Sequence, residues 1–286
     1  MLQIILGAFL ISFSSVFVKL VHVGPTSALF YRFTFGASAL FITAFIIKTP
    51  LFRDLRSLMY SGLAGFLFSL DLFFWHRSIL YVGPGFATIL ANFQIFILPL
   101  IGVVFLGERL RFLFIVSVIF AFSGLILLAG LDFHSMPPLY LRGIIYGFFT
   151  ACCYSGVNLT IQKSQKLPVR LGPVSNMAWL CFFGLVFGSL EVTASGETFI
   201  IPDMQSLLVL IAYGMICSGL GWYFITKGLA RVSISLAGLA LILQPALAFL
   251  WDILFFEKPV TALNIGGAVI TVIAMYMGFI SRSRES

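Results

Sequence analysis

Long apolar runs separated by short polar connections fill the chain from end to end. Within each run hydrophobic residues follow one another continuously instead of alternating with polar ones. A hydrocarbon core about 30 Å thick needs roughly 20 apolar residues per helix, and the runs have this length. Only helices and closed barrels satisfy the backbone in lipid, and a barrel requires alternation. The pattern therefore predicts an all-α integral membrane protein.

Ten transmembrane helices can be placed on these runs. The expected bounds are 2 to 21, 26 to 47, 57 to 80, 84 to 106, 111 to 131, 139 to 163, 171 to 190, 205 to 227, 232 to 256 and 261 to 281. Helix breakers stand in the connections: Gly24-Pro25, Gly83-Pro84-Gly85, Pro137-Pro138 and Gly172-Pro173. The first run has no basic n-region and no cleavage motif, so we interpret it as a retained helix and not as a signal peptide.

The fourth and ninth runs indicate an internal repeat. Residues 87–110 read ATILANFQIFILPLIGVVFLGERL, and 149 positions later the chain reads LAGLALILQPALAFLWDILFFEKP. Other identities recur at an offset of 148 or 149: Gly24, Pro25, Gly65 and Ser69 meet Gly172, Pro173, Gly214 and Ser218. Identities in register across two halves indicate a duplicated unit. We predict a first five-helix repeat over 1–131, a second over 139–281, and a cytoplasmic tail at 282–286.

Composition and charge exclude several classes of protein. Of the 286 residues, 60% are hydrophobic and 9% are charged, against roughly 25% charged residues in a soluble domain. The net charge of +7 does not indicate nucleic acid binding, because the Lys and Arg residues lie between apolar runs and form no cluster. The four cysteines lie within apolar runs without CxxC or Cys/His spacing, so neither a metal site nor a disulfide framework is expected, and no cofactor is implied.

The distribution of Lys and Arg predicts the orientation. With the N-terminus in the cytoplasm, the outer side receives Lys19, Arg77, Arg142 and Lys258. The inner side receives Lys48, Arg53, Arg56, Arg109, Arg111, Lys163, Lys166, Arg170, Lys227, Arg231, Arg282 and Arg284. This excess predicts cytoplasmic N- and C-termini. Because five helices per repeat is an odd number, the second half enters the membrane inverted, an arrangement typical of secondary transporters with a substrate site near the midplane.

These features together resemble a known family. An apolar fourth segment that ends in LGER, from Leu106 to Arg109, and a second copy with Gln244-Pro245 and Glu257-Lys258 are similar to the EamA-type branch of the drug/metabolite transporter superfamily. The resemblance covers nearly the whole chain. It implies a ten-helix carrier that moves small metabolites across a bacterial inner membrane, with amino acid exporters as the first comparison. One departure is that Pro245 aligns with Phe96, so exact symmetry between the fourth and ninth helices is not expected.

Four polar residues within the apolar runs of the first half have leucine at the repeat-related positions of the second half. Arg32, Asp71, Asn92 and Gln94 correspond to Leu180, Leu220, Leu241 and Leu243. Polar groups in a membrane span are costly and mark functional sites. A substrate presents different groups to each half, whereas a purely structural role would use similar positions in both. The asymmetry favours a function for these four residues.

Arg32 and Asp71 suit an amino acid substrate. Arg32 would receive the carboxylate, and Asp71 would receive the ammonium group or a proton, so proton coupling is a hypothesis that rests on this one carboxylate. The alternative is an ion pair that neutralises both charges and only positions the helices. Trp75, four residues after Asp71 on the same helix face, and Gln244, beside Pro245, complete the expected substrate-binding set.

Other roles and other classes of protein were weighed against this interpretation. Glu108 and Glu257 each end one helix just before the next, so we expect them to favour the following helix N-terminus and to pair with Arg109, Arg111 or Lys258.

No HExxH or GxSxG motif is present, which argues against an enzyme, and no polar stripe runs along several spans as in a channel. Nucleosides, cofactors similar to S-adenosylmethionine, organic acids, uptake instead of export, and the oligomeric state stay open.

Overall fold

The computed structural model describes residues 1–129, 139–257 and 260–283, with the backbone alone at 83–86, 128–129, 252 and 282–283. Every regular element in these residues is helical, which confirms the predicted fold class. The helices are Leu2–Ser12, Ser14–Leu20, Pro25–Ile46, Leu55–Ala91, Gln94–Leu106, Phe112–Ala129, Tyr140–Gln165, Pro173–Ser195, Met204–Tyr213, a π-helix at Gly214–Gly221, Trp222–Leu229, Ile234–Leu241, Leu243–Phe256 and Ala262–Ser283. Pro137-Pro138, Lys258 and Arg284 lie outside the described residues.

Nine stretches of the described chain are long and apolar enough to cross a membrane. They are Leu2–Leu20, Pro25–Ile46, Leu55–Val82, Ala87–Leu106, Tyr140–Gln165, Pro173–Ser195, Met204–Leu229, Ile234–Phe256 and Ala262–Ser281. The remaining expected span is present as the shorter apolar helix Phe112–Leu127. We number these ten segments span 1 to span 10 in chain order.

Two predicted boundaries differ from the structure. Gly83-Pro84-Gly85 does not interrupt the helix, since Leu55–Ala91 is helical throughout. A proline inside a helix removes one backbone hydrogen bond, and membrane helices tolerate this where neighbouring groups satisfy the freed carbonyl. Span 7 continues to Ser195, so Glu191, which we expected in a loop, lies within this helix. Helical hydrogen bonding satisfies the backbone there, and the polar side chain does not prevent it.

Spans 4 and 9 are both interrupted, and the interruptions are related by the repeat. The first follows Ala91, where Phe93 N–H donates to the Leu90 carbonyl at 3.0 Å. The second lies at Ile242, whose N–H is 3.4 Å from the Leu239 carbonyl. Phe93 and Ile242 are 149 positions apart, which is the offset found in the sequence. Both hydrogen bonds join residues three apart, as in a 3₁₀ turn, which is tighter than an α-helical turn. Such a turn within a helix often marks a hinge or a functional position.

The chain forms two compact units. Unit 1 contains Met1–Phe73 and Gly156–Arg231, and unit 2 contains Phe74–Ser155 and Val232–Ser286. In unit 1, span 2 packs against span 7 and against the π-helix of span 8, while span 1 packs along span 8. In unit 2, span 5 packs against span 10, and span 4 packs against the start of span 9. Each unit thus combines segments of both sequence repeats, and the repeat limits 1–131 and 139–281 stay a prediction about the sequence.

Glycines allow close contact between span 2 and the π-helix of span 8 in unit 1. A Cβ atom added to Gly36 would lie 2.8 Å from Ser218 Cβ, and one added to Gly214 would lie 2.8 Å from the Gly36 amide nitrogen. Small residues at such contacts allow membrane helices to approach each other closely. The contact brings Arg32, one turn before Gly36, alongside the π-helix of span 8.

Candidate functional site

Arg32 lies at the centre of a buried polar cluster in unit 1. Its side chain is 4% exposed. Nε donates a hydrogen bond to Ser218 Oγ at 3.0 Å, and Nη1 donates to the Tyr213 hydroxyl at 3.1 Å. The guanidinium carbon also lies 5.1 Å from the ring centre of Phe68 and 5.0 Å from that of Tyr213. Two neutral oxygen atoms and two aromatic faces therefore fix the orientation of the cation.

Asp71 belongs to the same cluster. It is 6% exposed, and it lies near enough to Arg32 for the two charges to interact. The structure thus brings together the buried cation and the buried anion that the sequence singled out. A buried charge is tolerated when an opposite charge and hydrogen bonds compensate its lost hydration.

The π-helix changes the repeat register near Asp71. Up to Ser69 and Ser218, burial agrees at the offset of 149, since both serines are buried. Asp71 is buried, however, whereas Leu220 is 53% exposed. A π-helix takes up about one extra residue, so the position in span 8 that matches Asp71 in burial is Gly221, while the offset of 149 applies again at Phe93 and Ile242. By burial, Asp71 therefore matches Gly221 and not Leu220 as expected, although Arg32 and Leu180 are both buried at their offset of 148.

The amide residues lie in unit 2, at the two helix interruptions. Asn92 is buried, and its Nδ2 donates to the Thr88 carbonyl at 2.8 Å. Gln94 is 1% exposed and begins the second part of span 4. In span 9, Gln244 Nε2 donates to the Tyr154 hydroxyl at 3.1 Å. Polar side chains thus accompany both interruptions of unit 2.

Trp75 and His76 form a separate contact in unit 2. Their ring centres are 5.3 Å apart, and both side chains are partly buried. The described contacts thus place Trp75 beside His76, and its expected role as a wall of the substrate site stays a prediction.

Glu108 has partners in span 9 that were not expected from the sequence. Glu108 Oε1 accepts a hydrogen bond from the Ile234 N–H at 2.9 Å, and its other carboxylate oxygen accepts from the Ser235 hydroxyl. It therefore caps the N-terminus of span 9, because the chain folds the start of span 9 onto the end of span 4. Glu257 is exposed and has a left-handed backbone, with φ of 49°.

Several residues with buried polar contacts were not predicted from the sequence. Tyr213 and Tyr154 were not singled out, because a tyrosine in an apolar run has the same pattern as the other aromatic residues. Their partners are 181 and 90 positions away in the chain. Glu191 was also missed; its Oε1 accepts from Ser69 at 3.4 Å. For the two tyrosines, a polar group near the middle of an apolar run is the signal that could have identified them.

Within the described residues, no three His, Cys, Asp or Glu side chains are grouped as they would be around a metal ion. The four cysteines, all within the described residues, form no disulfide. The clusters instead consist of a buried cation and anion in unit 1 and of amides and a hydroxyl in unit 2. Such groups bind polar solutes by hydrogen bonds and charge.

Membrane-length helices with buried polar clusters and two sequence repeats define a multi-pass helical membrane protein. The chain belongs to the EamA-like transporter family, whose model matches residues 1–130 and 141–280. A solved crystal structure has the same fold, with a TM-score of 0.84 over 98% of both chains at 17% sequence identity. No protein of curated function matches the chain. The protein is thus a membrane transporter of small solutes.

Proposed function

We propose that this transporter exports an amino acid or a closely related metabolite by alternating access. The observation that carries the proposal is the buried pair of opposite charges in unit 1. An amino acid carries one carboxylate and one ammonium group, so a site for it needs a fixed cation and a fixed anion.

Arg32 is suited to the carboxylate. Its two hydrogen bonds within the described part of the chain go to neutral hydroxyl groups, and they use two of the five guanidinium N–H donors. The aromatic rings of Phe68 and Tyr213 restrict its movement further. A guanidinium held in this way has donors left for a carboxylate, which it binds best in a forked geometry.

Asp71 supplies the opposite charge. In the proposed cycle it binds the substrate ammonium group or a proton, and exchange of one for the other couples export to the proton gradient. The expected roles of Asn92, Gln94 and Gln244 in substrate binding stay predictions; their support within unit 2 is that polar residues beside interrupted helices are typical of transporter binding sites. The excess of basic residues in the inner connections supports a bacterial inner membrane location with cytoplasmic termini.

Exchange of labelled amino acids in vesicles that contain the purified protein tests the proposal. Wild type is compared with two variants. Arg32→Lys keeps the charge but loses the paired N–H donors of the guanidinium, and Arg32→Leu copies the second repeat. Arg56→Leu removes an exposed charge and serves as the matched control. We expect exchange by wild type and Arg56→Leu, a strong reduction in Arg32→Lys, and none in Arg32→Leu.

Two results would contradict the proposal. Absence of amino acid exchange by folded wild-type protein would show that the substrate class is wrong. Full exchange by Arg32→Leu would show that Arg32 serves only the packing of unit 1. For coupling, Asp71→Asn is expected to abolish accumulation driven by a pH gradient, and an unchanged accumulation would remove the proton from the mechanism.

A further inference from the structure

Two helix N-termini in unit 1 are built on the same plan. Gly24 and Gly172, which precede spans 2 and 7, have nearly identical backbone angles, with φ and ψ of −61° and 157° against −60° and 159°. Each glycine is followed by proline and, two positions later, by a buried serine, Ser27 or Ser175. The two sites are therefore repeats of each other in space as well as in sequence.

The surrounding contacts are also repeated. The amide before the first site, that of His22, donates to Ser206 Oγ at 2.9 Å, and the amide before the second, that of Leu171, donates to Ser57 Oγ at 3.0 Å. Both donors and both acceptors are 149 positions apart. We call the first site the Glu197 corner (Gly24, Pro25, Ser27, Glu197) and the second the Thr49 corner (Gly172, Pro173, Ser175, Thr49).

A carboxylate of the protein fills the Glu197 corner. Glu197 Oε1 accepts from the Thr26 N–H at 3.3 Å, and Oε2 accepts from the Ser27 N–H at 2.9 Å. The Ser27 hydroxyl lies 3.0 Å from Oε2 and 2.8 Å from the Thr198 carbonyl, so its proton has two acceptors. Free N–H groups and the helix dipole make this terminus a favourable place for an anion.

The Thr49 corner lacks this carboxylate. At the offset of 148, Glu197 corresponds to Thr49, and the preceding left-handed residues, Gly196 and Lys48, correspond as well. Thr49 has a short neutral side chain that cannot supply a carboxylate. The Thr49 corner therefore has the backbone geometry of the Glu197 corner but no carboxylate in the corresponding position.

Space remains in the Thr49 corner at the position that corresponds to the Glu197 carboxylate. A Cβ atom built on Gly24 would lie 2.2 Å from Glu197 Oε2, whereas the nearest atom to the same point on Gly172 is Thr49 Oγ1 at 3.6 Å. Ser175 Oγ is fully buried and has no hydrogen-bond partner in the described part of the chain. A buried hydroxyl without a partner is costly, so a group at this position that accepts its hydrogen bond would stabilise the corner.

We propose that the Thr49 corner binds a small oxyanion, a carboxylate or a phosphate, in the place that Glu197 fills in the Glu197 corner. The Ser175 hydroxyl and the first-turn N–H groups of span 7 would donate to it. Basic residues flank the corner in the sequence, at Lys48, Lys166 and Arg170, and Asp54 is the acid in the same connection. The proposed orientation puts the corner at the cytoplasmic face, where both soluble anions and anionic lipid headgroups occur.

A thermal-shift titration of the purified full-length protein tests this proposal without a transport assay, so its outcome is independent of the proposed substrate. The probes are inorganic phosphate and acetate, with chloride at matched ionic strength as the reference. Wild type in nanodiscs of zwitterionic lipid should melt at a higher temperature as phosphate or acetate rises, in a saturable manner. Ser175→Ala should weaken the apparent affinity by at least about tenfold, because one hydrogen bond to a charged group is lost.

The internal repeat supplies matched variants. Ser27→Ala makes the same change in the filled corner and should leave the response to the probes unchanged. Thr49→Glu restores the missing carboxylate and should remove the response while raising the melting temperature without any probe. Glu197→Thr opens the first corner and should create a second saturable response.

The lipid composition separates the two sources of the oxyanion. If an anionic headgroup is the natural ligand, nanodiscs with phosphatidylglycerol should stabilise wild type but not Thr49→Glu, and soluble phosphate should then add little. If a soluble anion is the ligand, phosphatidylglycerol should leave the phosphate response intact. A wild type that responds neither to phosphate, nor to acetate, nor to phosphatidylglycerol overturns the proposal. So does a phosphate response in Ser175→Ala and Thr49→Glu that equals the response of wild type, which would indicate a general salt effect.

Discussion

Replacement of Glu108 by alanine should destabilise unit 2. Glu108 ends span 4 and caps the start of span 9 with both carboxylate oxygens, which accept from the Ile234 N–H and the Ser235 hydroxyl. Its own N–H donates to the Gly102 carbonyl at 2.8 Å. The side chain therefore connects two spans that are far apart in the sequence.

The expected loss can be worked out from these bonds. Removal of a helix cap costs about 1 kcal/mol, and a hydrogen bond to a charged group adds about 1.5 kcal/mol. Because the two bonds share one carboxylate and water can replace part of them, we expect about 2 kcal/mol in total. For a chain of this size, 1 kcal/mol corresponds to about 2–4 °C, so the melting temperature should fall by about 4–8 °C.

Thermal unfolding of the purified protein in detergent, followed by intrinsic fluorescence, measures this change. Glu257→Ala is the matched control, because Glu257 is the repeat-related acid and is exposed. Its melting temperature should change by no more than about 2 °C, as is usual for a surface substitution. Glu108→Gln keeps one acceptor and should fall between wild type and Glu108→Ala. If Glu108→Ala melts like wild type, or if Glu257→Ala is equally destabilised, the assigned cap contributes nothing.

Two further predictions concern unit 1 and the glycines. Burial raises the pKa of Glu197, but hydrogen bonds from Ser27 and Thr26 outweigh this effect and lower it below the usual carboxyl value. The stabilisation of the fold by the ionised Glu197 should be complete above the ordinary carboxyl pKa and should disappear as the pH falls through the lowered pKa. The difference in melting temperature between wild type and Glu197→Gln should therefore shrink on acidification. A difference that grows in acid would refute this assignment. Gly65→Ala would put a Cβ atom 2.5 Å from the Leu180 carbonyl oxygen, whereas Gly266 has no neighbour within 4 Å. Gly65→Ala should therefore cost about 1–3 kcal/mol in thermal unfolding, and Gly266→Ala should cost less than about 0.5 kcal/mol; equal melting temperatures would contradict this packing.

The helical class and the positions of the apolar segments followed from the sequence, because hydrophobic length determines which segments can cross a lipid bilayer. The burial of Arg32 and Asp71 followed for the same reason, since both lie within apolar runs. The partner of Glu108 did not follow. Its carboxylate caps a helix that begins 126 positions later, and nothing in the local sequence indicates which helix N-terminus will be near. Contacts between distant segments depend on how the spans pack, which periodicity does not specify.

The π-helix shows most clearly where reasoning from the repeat was misleading. Sequence identity at Gly214 and Ser218 gave an offset of 149, and this offset was carried on to Asp71. The extra residue taken up at Gly214–Gly221 moves Leu220 to the exposed side and places Gly221 at the position of Asp71. Asp71→Gly is therefore the substitution that copies the second half, and it removes the carboxylate without placing a leucine in the buried cluster. If Asp71 acts in transport, Asp71→Gly and Asp71→Asn should lose coupling alike, whereas a loss in Asp71→Leu alone would indicate a steric effect on Arg32.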